Sequence, residues 1–293
     1  MPRPAIPLVH GLSALADRYD SFVLDLWGVL HDGVAAYAWS IDCLERLRQR
    51  GKRIAILSNA PRRTAEVARR SAELGIRPAV YDVIHSSGEE TWLYLKRRPD
   101  AFHRGLGRTC YHLGPRRDRG VLEGLDLEET TEIAEASFVL NTGAHLAQDE
   151  AANFEAVLRP AAERGLPMVC ANPDLEVIRN GVREICAGML ALRYEELGGM
   201  VRYHGKPHES VYRRVLPQLG FGTGARVLAV GDSLRTDIAG ARRAGLDSLL
   251  VTGGIHAEEL GLAAGAHPDP AALAETCARA GERPTYAAPG FTW

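Results

Sequence analysis

The chain has 293 residues, 46% of them hydrophobic and 25% charged, with a formal net charge of −2 at pH 7. This is an ordinary soluble globular balance, long enough for one large domain or two and able to bury a sizeable core. The near-neutral charge argues against nucleic acid or a membrane surface as partner, and no stretch approaches about 18 uninterrupted apolar residues.

The five cysteines (Cys43, Cys110, Cys170, Cys186, Cys277) form no C-x-x-C pair and read as free thiols of a reducing compartment. With no apolar leader at the N-terminus, the expected location is the cytoplasm. Residues 1–21 read as a lead-in with a short helix near Leu12–Arg18. Phe22–Leu30 (F-V-L-D-L-W-G-V-L) follows, an apolar run interrupted by Asp25 and released by Gly28. It reads as a buried strand ending in a sharp exit, with Asp25 on the C-terminal edge where open α/β sheets place ligands. An Asp there also suits the capping of the next turn, a use that remains open for this stretch alone.

Asp32-Gly33 marks a tight turn, and Ile41–Arg50 an amphipathic helix stopped by Gly51. Arg53–Leu57 is a second strand, ending in Ser58-Asn59, and Pro61 is expected at the first position of a helix to Leu74. From about His85 the rhythm changes. A helix near Glu89–Arg97 leads into a basic stretch, followed by strands at Thr109–Leu113, Ser137–Thr142 and Pro167–Ala171. Gly198-Gly199 reads as a hinge. Beyond it come Gly205-Lys206-Pro207, a helix to about Leu219, and the strand Val227–Val230 ending in Gly231-Asp232-Ser233 with Asp237 close behind. The helix Ile238–Ala244, the strand Ser248–Thr252, the helix Ala271–Ala280 and an irregular Pro-rich tail complete the chain. Alternating strands and helices make the class α/β with a largely parallel sheet, and residues 85–202 interrupt one such domain with another.

Asp25, Ser58-Asn59 and the pair Asp232 and Asp237 all lie at ends of apolar strands. Carboxylates gathered from separate strand ends repel one another unless a cation lies between them, and oxygen-only ligands suit Mg²⁺. Lys206 adds a compact positive charge for a phosphate. A phosphoryl group held by Mg²⁺, Lys and a Ser hydroxyl beside a carboxylate can pass through an aspartyl-phosphate.

With Asp25-Leu26-Trp27-Gly28-Val29-Leu30, Ser58-Asn59, Gly205-Lys206-Pro207 and Gly231-Asp232-Ser233…Thr236-Asp237 in this order, the chain resembles the haloacid dehalogenase superfamily. The position of the inserted segment and Asn172-Pro173-Asp174 within it resemble the class IIA branch, which includes sugar, nucleotide, pyridoxal phosphate and p-nitrophenyl phosphate phosphatases. The resemblance implies a Rossmann-like three-layer core (1–84 and 203–293) and an inserted α/β cap domain (85–202). It also implies an Mg²⁺-dependent phosphohydrolase of a small phosphorylated metabolite. Asp25 would be nucleophile and Mg²⁺ ligand. Ser58 and the Asn59 region would bind phosphoryl oxygens, and Lys206 would neutralise charge. The metal would also be held by Asp232, Asp237 and the main-chain carbonyl of Trp27. Self-association into a homo-oligomer stays open.

The departure is Trp27. Family phosphatases carry a second Asp there, which protonates the leaving oxygen, and an indole cannot do so. General acid–base help is typically worth about 10²–10⁴-fold. The alternative function is therefore a catalytically weakened phosphate-ligand binding or regulatory protein. His31 and Asp32 read first as turn residues and second as candidates to replace the missing acid. Gly220-Phe221-Gly222-Thr223-Gly224 precedes a strand and reads as a loop, not a dinucleotide fingerprint. His204 and His208 straddle Pro207, which argues against a zinc-binding helix face, and Lys96–Arg108 reads as a solvated surface. Asn172–Asp174 reads as a strand-exit cap, with a substrate role open.

Overall fold

The computed structural model describes residues 5–220 and 224–293, so the Phe221–Thr223 part of the Gly-rich loop lies outside the described residues. The chain opens with two tight helical turns, Leu12–Ala14 and Ala16–Arg18, then strands β1 (Ser21–Leu24), β2 (Arg53–Ser58) and β3 (Val83–Ser86). Seven strands follow: β4 (Thr109–Leu113), β5 (Glu128–Thr130), β6 (Phe138–Asn141), β7 (Met168–Cys170), β8 (Glu176–Arg179), β9 (Val182–Ile185) and β10 (Val201–Tyr203). The chain ends with β11 (Val227–Gly231), β12 (Asp247–Val251) and β13 (Tyr286–Ala288).

Among the described residues, one six-stranded sheet has the order β13-β12-β11-β1-β2-β3, every pairing parallel. Alternation along a strand sends successive side chains to opposite faces. Phe22 and Leu24 of β1, with Ile54 and Ile56 of β2, pack on Leu44 and Leu47 of the helix Ala38–Gln49 and on Val67 of the helix Thr64–Glu73. Val23, Ala55 and Leu57 pack on Val211 and Val215 of the helix Glu209–Val215. The result is the expected three-layer α/β arrangement, because strands buried on both faces must be apolar throughout.

A second, five-stranded parallel sheet has the order β10-β7-β6-β4-β5 and its own two-faced core. Tyr194, Leu190 and Leu158 cover one face, Leu95 and Val121 the other. β8 and β9 form a separate antiparallel hairpin. β3 crosses the expected 84/85 boundary and stays in the first sheet, whereas β10 carries the second sheet to Tyr203.

Several local expectations shift. Pro61 does not begin a helix. Arg63 Nε and the Thr64 amide both donate to the Glu89 carboxylate, at 2.7 and 3.1 Å, and the helix starts at Thr64. Gly198 and Gly199 close the helix Ala187–Glu196, the Gly199 amide donating to Tyr194 O at 2.9 Å, and lead straight into β10. The Pro-rich tail is not wholly irregular: β13 takes the sheet edge beside β12, and its other side pairs with Leu8 of the lead-in. All five cysteines are free and buried, and no described helix is long and apolar enough to cross a membrane.

Candidate active site

The chain runs outward from β1 in both directions, through β2 and β3 on one side and β11 to β13 on the other. The order of strands therefore reverses at β1, and a crevice opens beyond its C-terminal end. Asp25 stands at that point. Its amide donates to Val230 O at 2.9 Å, one last ladder bond before Gly28 turns the chain away with φ +74°. The neighbouring strands end at Ser58-Asn59 and Asp232, and Asp237 lies in the wide turn Leu234–Ile238 that follows.

These groups converge. One carboxylate oxygen from each of Asp25, Asp232 and Asp237 lies within 4.8 Å of the other two. Lys206 Nζ donates to Asp25 Oδ1 at 2.5 Å and to Asp237 Oδ1 at 2.7 Å. All four side chains are buried. Glycines make room for them: a Cβ at Gly28 would lie 2.0 Å from Asp232 Oδ2, and one at Gly254 would lie 2.2 Å from the same atom. The Ile255 amide donates to that oxygen at 2.9 Å, and the Ser233 amide holds Asp237 Oδ2 at 3.1 Å.

The charges do not balance. Burial, opposed by Lys206 and reinforced by Asp237, pushes the Asp25 carboxyl up to about 7. Burial and repulsion from Asp25 and Asp237 push Asp232 well above the carboxylate range. Burial alone would lower Lys206, but Asp237, Asp25 and Asp174 outweigh it and hold the ammonium firmly charged. Three buried carboxyl groups share one ammonium, so Asp25 and Asp232 favour their protonated forms unless a hard divalent cation takes the place of the protons, and the donors are all oxygen. The residues present therefore fit Mg²⁺.

Ser58 Oγ accepts from the Ala60 amide at 3.2 Å, which leaves its own proton to donate into the cavity that it lines. The Asn59 side chain is spent within the protein. Its Oδ1 accepts from the Lys206 amide at 2.8 Å, and its Nδ2 donates to Asp174 Oδ1 at 2.9 Å and Lys206 O at 3.2 Å. It therefore brackets Lys206 against Asp174, and is not itself a free donor side chain for phosphate. Asn172 Oδ1 takes the Asp174 amide at 2.9 Å, so Asn172–Asp174 makes its own turn while its carboxylate reaches the site.

Trp27 is an anchor. Its Nε1 donates to Ile178 O at 2.8 Å, the Arg179 guanidinium lies 4.6 Å from its ring centroid, and His31 packs edge-on at 5.1 Å. His31 Nδ1 accepts from the Gly33 amide at 2.9 Å, which places any neutral-ring proton on Nε2. Burial lowers this imidazole to about 4, so it is neutral at pH 7. Asp32 accepts from the Val34 and Ala35 amides at 2.8 and 2.9 Å, which holds its carboxyl low and ionised. Both residues make the expected turn, and neither carries a readily released proton at neutral pH.

The hairpin contacts of Trp27 were missed in the sequence, although a signal was present. Asn180-Gly181 between E-V-I-R and V-R-E-I is a strong two-residue hairpin signature, and both residues adopt positive φ (48° and 76°). Two cavities of about 450 and 470 Å³ meet at Asp25, Trp27 and Asp174. Arg62, Arg70, Arg117 and Arg179 line the first, a convergence that no local sequence pattern signals. His204 does not pair with His208. Its Nε2 meets His103 Nε2 at 3.1 Å, and among the described residues the three aspartates are the one cluster with metal-binding spacing.

One substitution isolates the packing around Asp232. Gly254→Ala adds a methyl against Asp232 Oδ2 without forcing an unusual φ. It is expected to weaken Mg²⁺ binding, followed by calorimetry, about tenfold or more, since displaced supports of metal ligands typically cost about 10–100-fold. An unchanged Mg²⁺ affinity would show that Asp232 does not hold the ion.

The haloacid dehalogenase-like hydrolase profile matches residues 22–128, and a HAD-hydrolase-like profile matches 203–280. The D-glycerol 3-phosphate phosphatase of Mycobacterium tuberculosis is 27% identical over 259 residues, which is 84% of this chain and 66% of the relative. The chain thus spans just under two thirds of that protein. The ribonucleotide monophosphatase NagD of Escherichia coli K12 is 26% identical over 80% of this chain and 87% of its own length. A crystal structure of a haloacid dehalogenase-like hydrolase from Brucella suis 1330 superposes with a TM-score of 0.82 at 32% identity, covering 97% of this chain and all (100%) of that one. With its aspartates and lysine gathered at the strand ends where its motifs put them, the chain belongs to the haloacid dehalogenase-like family of hydrolases, on its class IIA branch.

Proposed function

We propose that the chain is a Mg²⁺-dependent phosphatase of a small phosphorylated metabolite that works through a phosphoaspartate on Asp25. The observation that carries this reading is the buried cluster of Asp25, Asp232, Asp237 and Lys206, in which three carboxyl groups share one ammonium. Asp25, Asp232, Asp237 and the main-chain carbonyl of Trp27 would hold the ion, which when bound supplies positive charge to the phosphoryl oxygens and to these carboxylates.

An Asp25 carboxylate oxygen attacks phosphorus, and the bond from phosphorus to the leaving oxygen breaks with its electron pair on that oxygen. Lys206 favours the ionised form of Asp25 through its short bond and offers charge to the incoming phosphate. Ser58 donates its hydroxyl proton to a phosphoryl oxygen. Water then attacks phosphorus, and the bond between phosphorus and the Asp25 oxygen breaks with its electron pair on the carboxylate. One water proton stays on inorganic phosphate, and the other passes to solvent, which supplies the proton that the leaving oxygen takes up. Asn59 acts through Lys206 and Asp174 as a positioning residue. Residues 87–203 serve as the cap, with Trp27 docked on β8 as its latch and Asp174 as its reach into the site. The five buried thiols fit a reducing cytoplasm.

A second reading, a phosphate-ligand binding protein with weak turnover, has one observation in its favour. The position that should hold the general acid carries an indole tied to Ile178 O. A phosphometabolite panel with and without Mg²⁺ separates the two: turnover supports the phosphatase, and binding without turnover supports the other.

Metal removal also has a stability signature. With its pKa raised to about 7, folded Asp25 keeps a proton that the unfolded chain has already released. Metal-free stability therefore falls as pH rises from about 4 to about 7. Mg²⁺ competes with that proton, so its stabilisation grows over the same window. At about pH 8 millimolar Mg²⁺ is expected to raise Tm by about 3–6 °C over a chelated sample, and by less at about pH 5. A Tm indifferent to Mg²⁺ at both pH values would contradict the metal assignment.

A further inference from the structure

The first cavity is lined by Asp25, Ser58 and Asp174 and also by Arg62, Arg70, Arg117 and Arg179. Two carboxylates stand among these arginines. Asp118 takes Arg62 Nε at 2.5 Å, and Glu184 takes Arg179 Nε at 3.0 Å. Arg70 turns to Glu73 outside the cavity at 3.2 Å, a carboxylate it shares with Arg69. Arg117 is exposed, and among the described residues it has no hydrogen bond or ion pair. Asp118, whose carboxyl feels the Arg117 charge, is already held by Arg62.

The four arginines share the cavity with four acidic residues, Asp25, Asp118, Asp174 and Glu184, of which Asp118 and Glu184 are already paired with Arg62 and Arg179. Val67, Leu74 and Ile185 line the same cavity, a surface suited to a short carbon skeleton. Guanidinium groups bind carboxylate and phosphate through paired charge-assisted bonds. Arg62 is committed to the buried Asp118, and Arg179 to Glu184 and the Trp27 ring. Arg117 is the uncommitted one.

We propose that the substrate is a phosphomonoester whose leaving portion carries a second anionic group, a carboxylate or a phosphate, and that Arg117 selects for it. This rests on the phosphatase reading of Asp25 and adds the substrate class. A neutral tail would leave Arg117 in water, whereas an anionic tail would pair with it in the same cavity that Asp25 and Ser58 line.

Three probes with one carbon spacer test the claim: 3-hydroxypropyl phosphate, 3-(phosphonooxy)propanoate and propane-1,3-diyl bisphosphate. At least one of the two anionic probes is expected to exceed the neutral one in kcat/KM by about tenfold or more, and the better of them names the group as carboxylate or phosphate. In Arg117→Ala that ratio should fall to within about threefold, mainly through KM, and Arg117→Lys should recover part of it. A neutral probe as good as both anionic ones, or a preference that survives Arg117→Ala, would overturn the proposal. Hydrolysis of p-nitrophenyl phosphate reads the phosphatase activity separately. If it fails, the Asp25 reading falls, and calorimetric binding of the matching non-hydrolysable phosphonates still judges Arg117 by the same preference and the same variants.

Discussion

Asp25→Asn is expected to lower phosphatase turnover by about 10⁴-fold or more, because it removes the nucleophile and not merely a contact. The fold should survive. The Asp25 amide keeps its bond to Val230 O, and an Asn carbonyl still accepts from Lys206. Losing one of several crowded carboxylates also relieves repulsion, so the chelated variant should melt no lower than the chelated parent at about pH 8. Lys206→Ala makes a contrast. It strands Asp25 and Asp237 in a buried site without their counter-charge, and should cost both activity and about 3–5 kcal/mol of metal-free stability. An Asp25→Asn enzyme within tenfold of the parent would end the nucleophile assignment.

Trp27 carries the next largest effect. With no proton donor at that position, leaving oxygens that need no proton should be favoured, so aryl phosphates, acyl phosphates and anhydrides should outpace alkyl phosphates by about 10²–10⁴-fold. The neighbours do not rescue the missing acid, since His31 is neutral at pH 7 and Asp32 is ionised. Trp27→Asp should flatten the dependence on leaving-group pKa and speed alkyl phosphate hydrolysis. It also breaks the bond to Ile178 O and the Arg179 stack, so a several-fold rise in KM should accompany the gain, in line with about 1 kcal/mol per lost hydrogen bond. Trp27→Phe keeps the ring but not the bond, and should raise KM without changing the leaving-group slope. A flat dependence in the parent would mean that another group already supplies the proton.

The site was legible where chemistry follows directly from chain direction. Asp25, Ser58 and Asp232 each end an apolar run, and a parallel sheet delivers all such ends to one edge. Once β1 lies between β2 and β11, their convergence is a geometric consequence. What the sequence could not show depends on partners far apart along the chain. Asn59 reads as part of the phosphoryl-binding region, yet its side-chain amide joins Lys206 to Asp174, across separations of 147 and 115 residues. β13 has three residues in a Pro-rich tail, too short for periodicity, and it exists because β12 and Leu8 flank it. The arginines of the cavity wall come from four places between positions 62 and 179, and no local pattern links them. The β8–β9 hairpin is a different case, since Asn180-Gly181 announced it and the strand alternation beside it is weak.

The most direct test is to trap the covalent enzyme. During turnover of a phosphorus-labelled aryl phosphate with Mg²⁺, an acid quench should leave label on the protein, and borohydride reduction of the acyl phosphate should convert residue 25 to homoserine in the peptide spanning β1. Label and homoserine at position 25, both absent in Asp25→Asn, are the predicted result. Turnover with no labelled protein at any quench time, or reduction at a different carboxylate, would contradict the account.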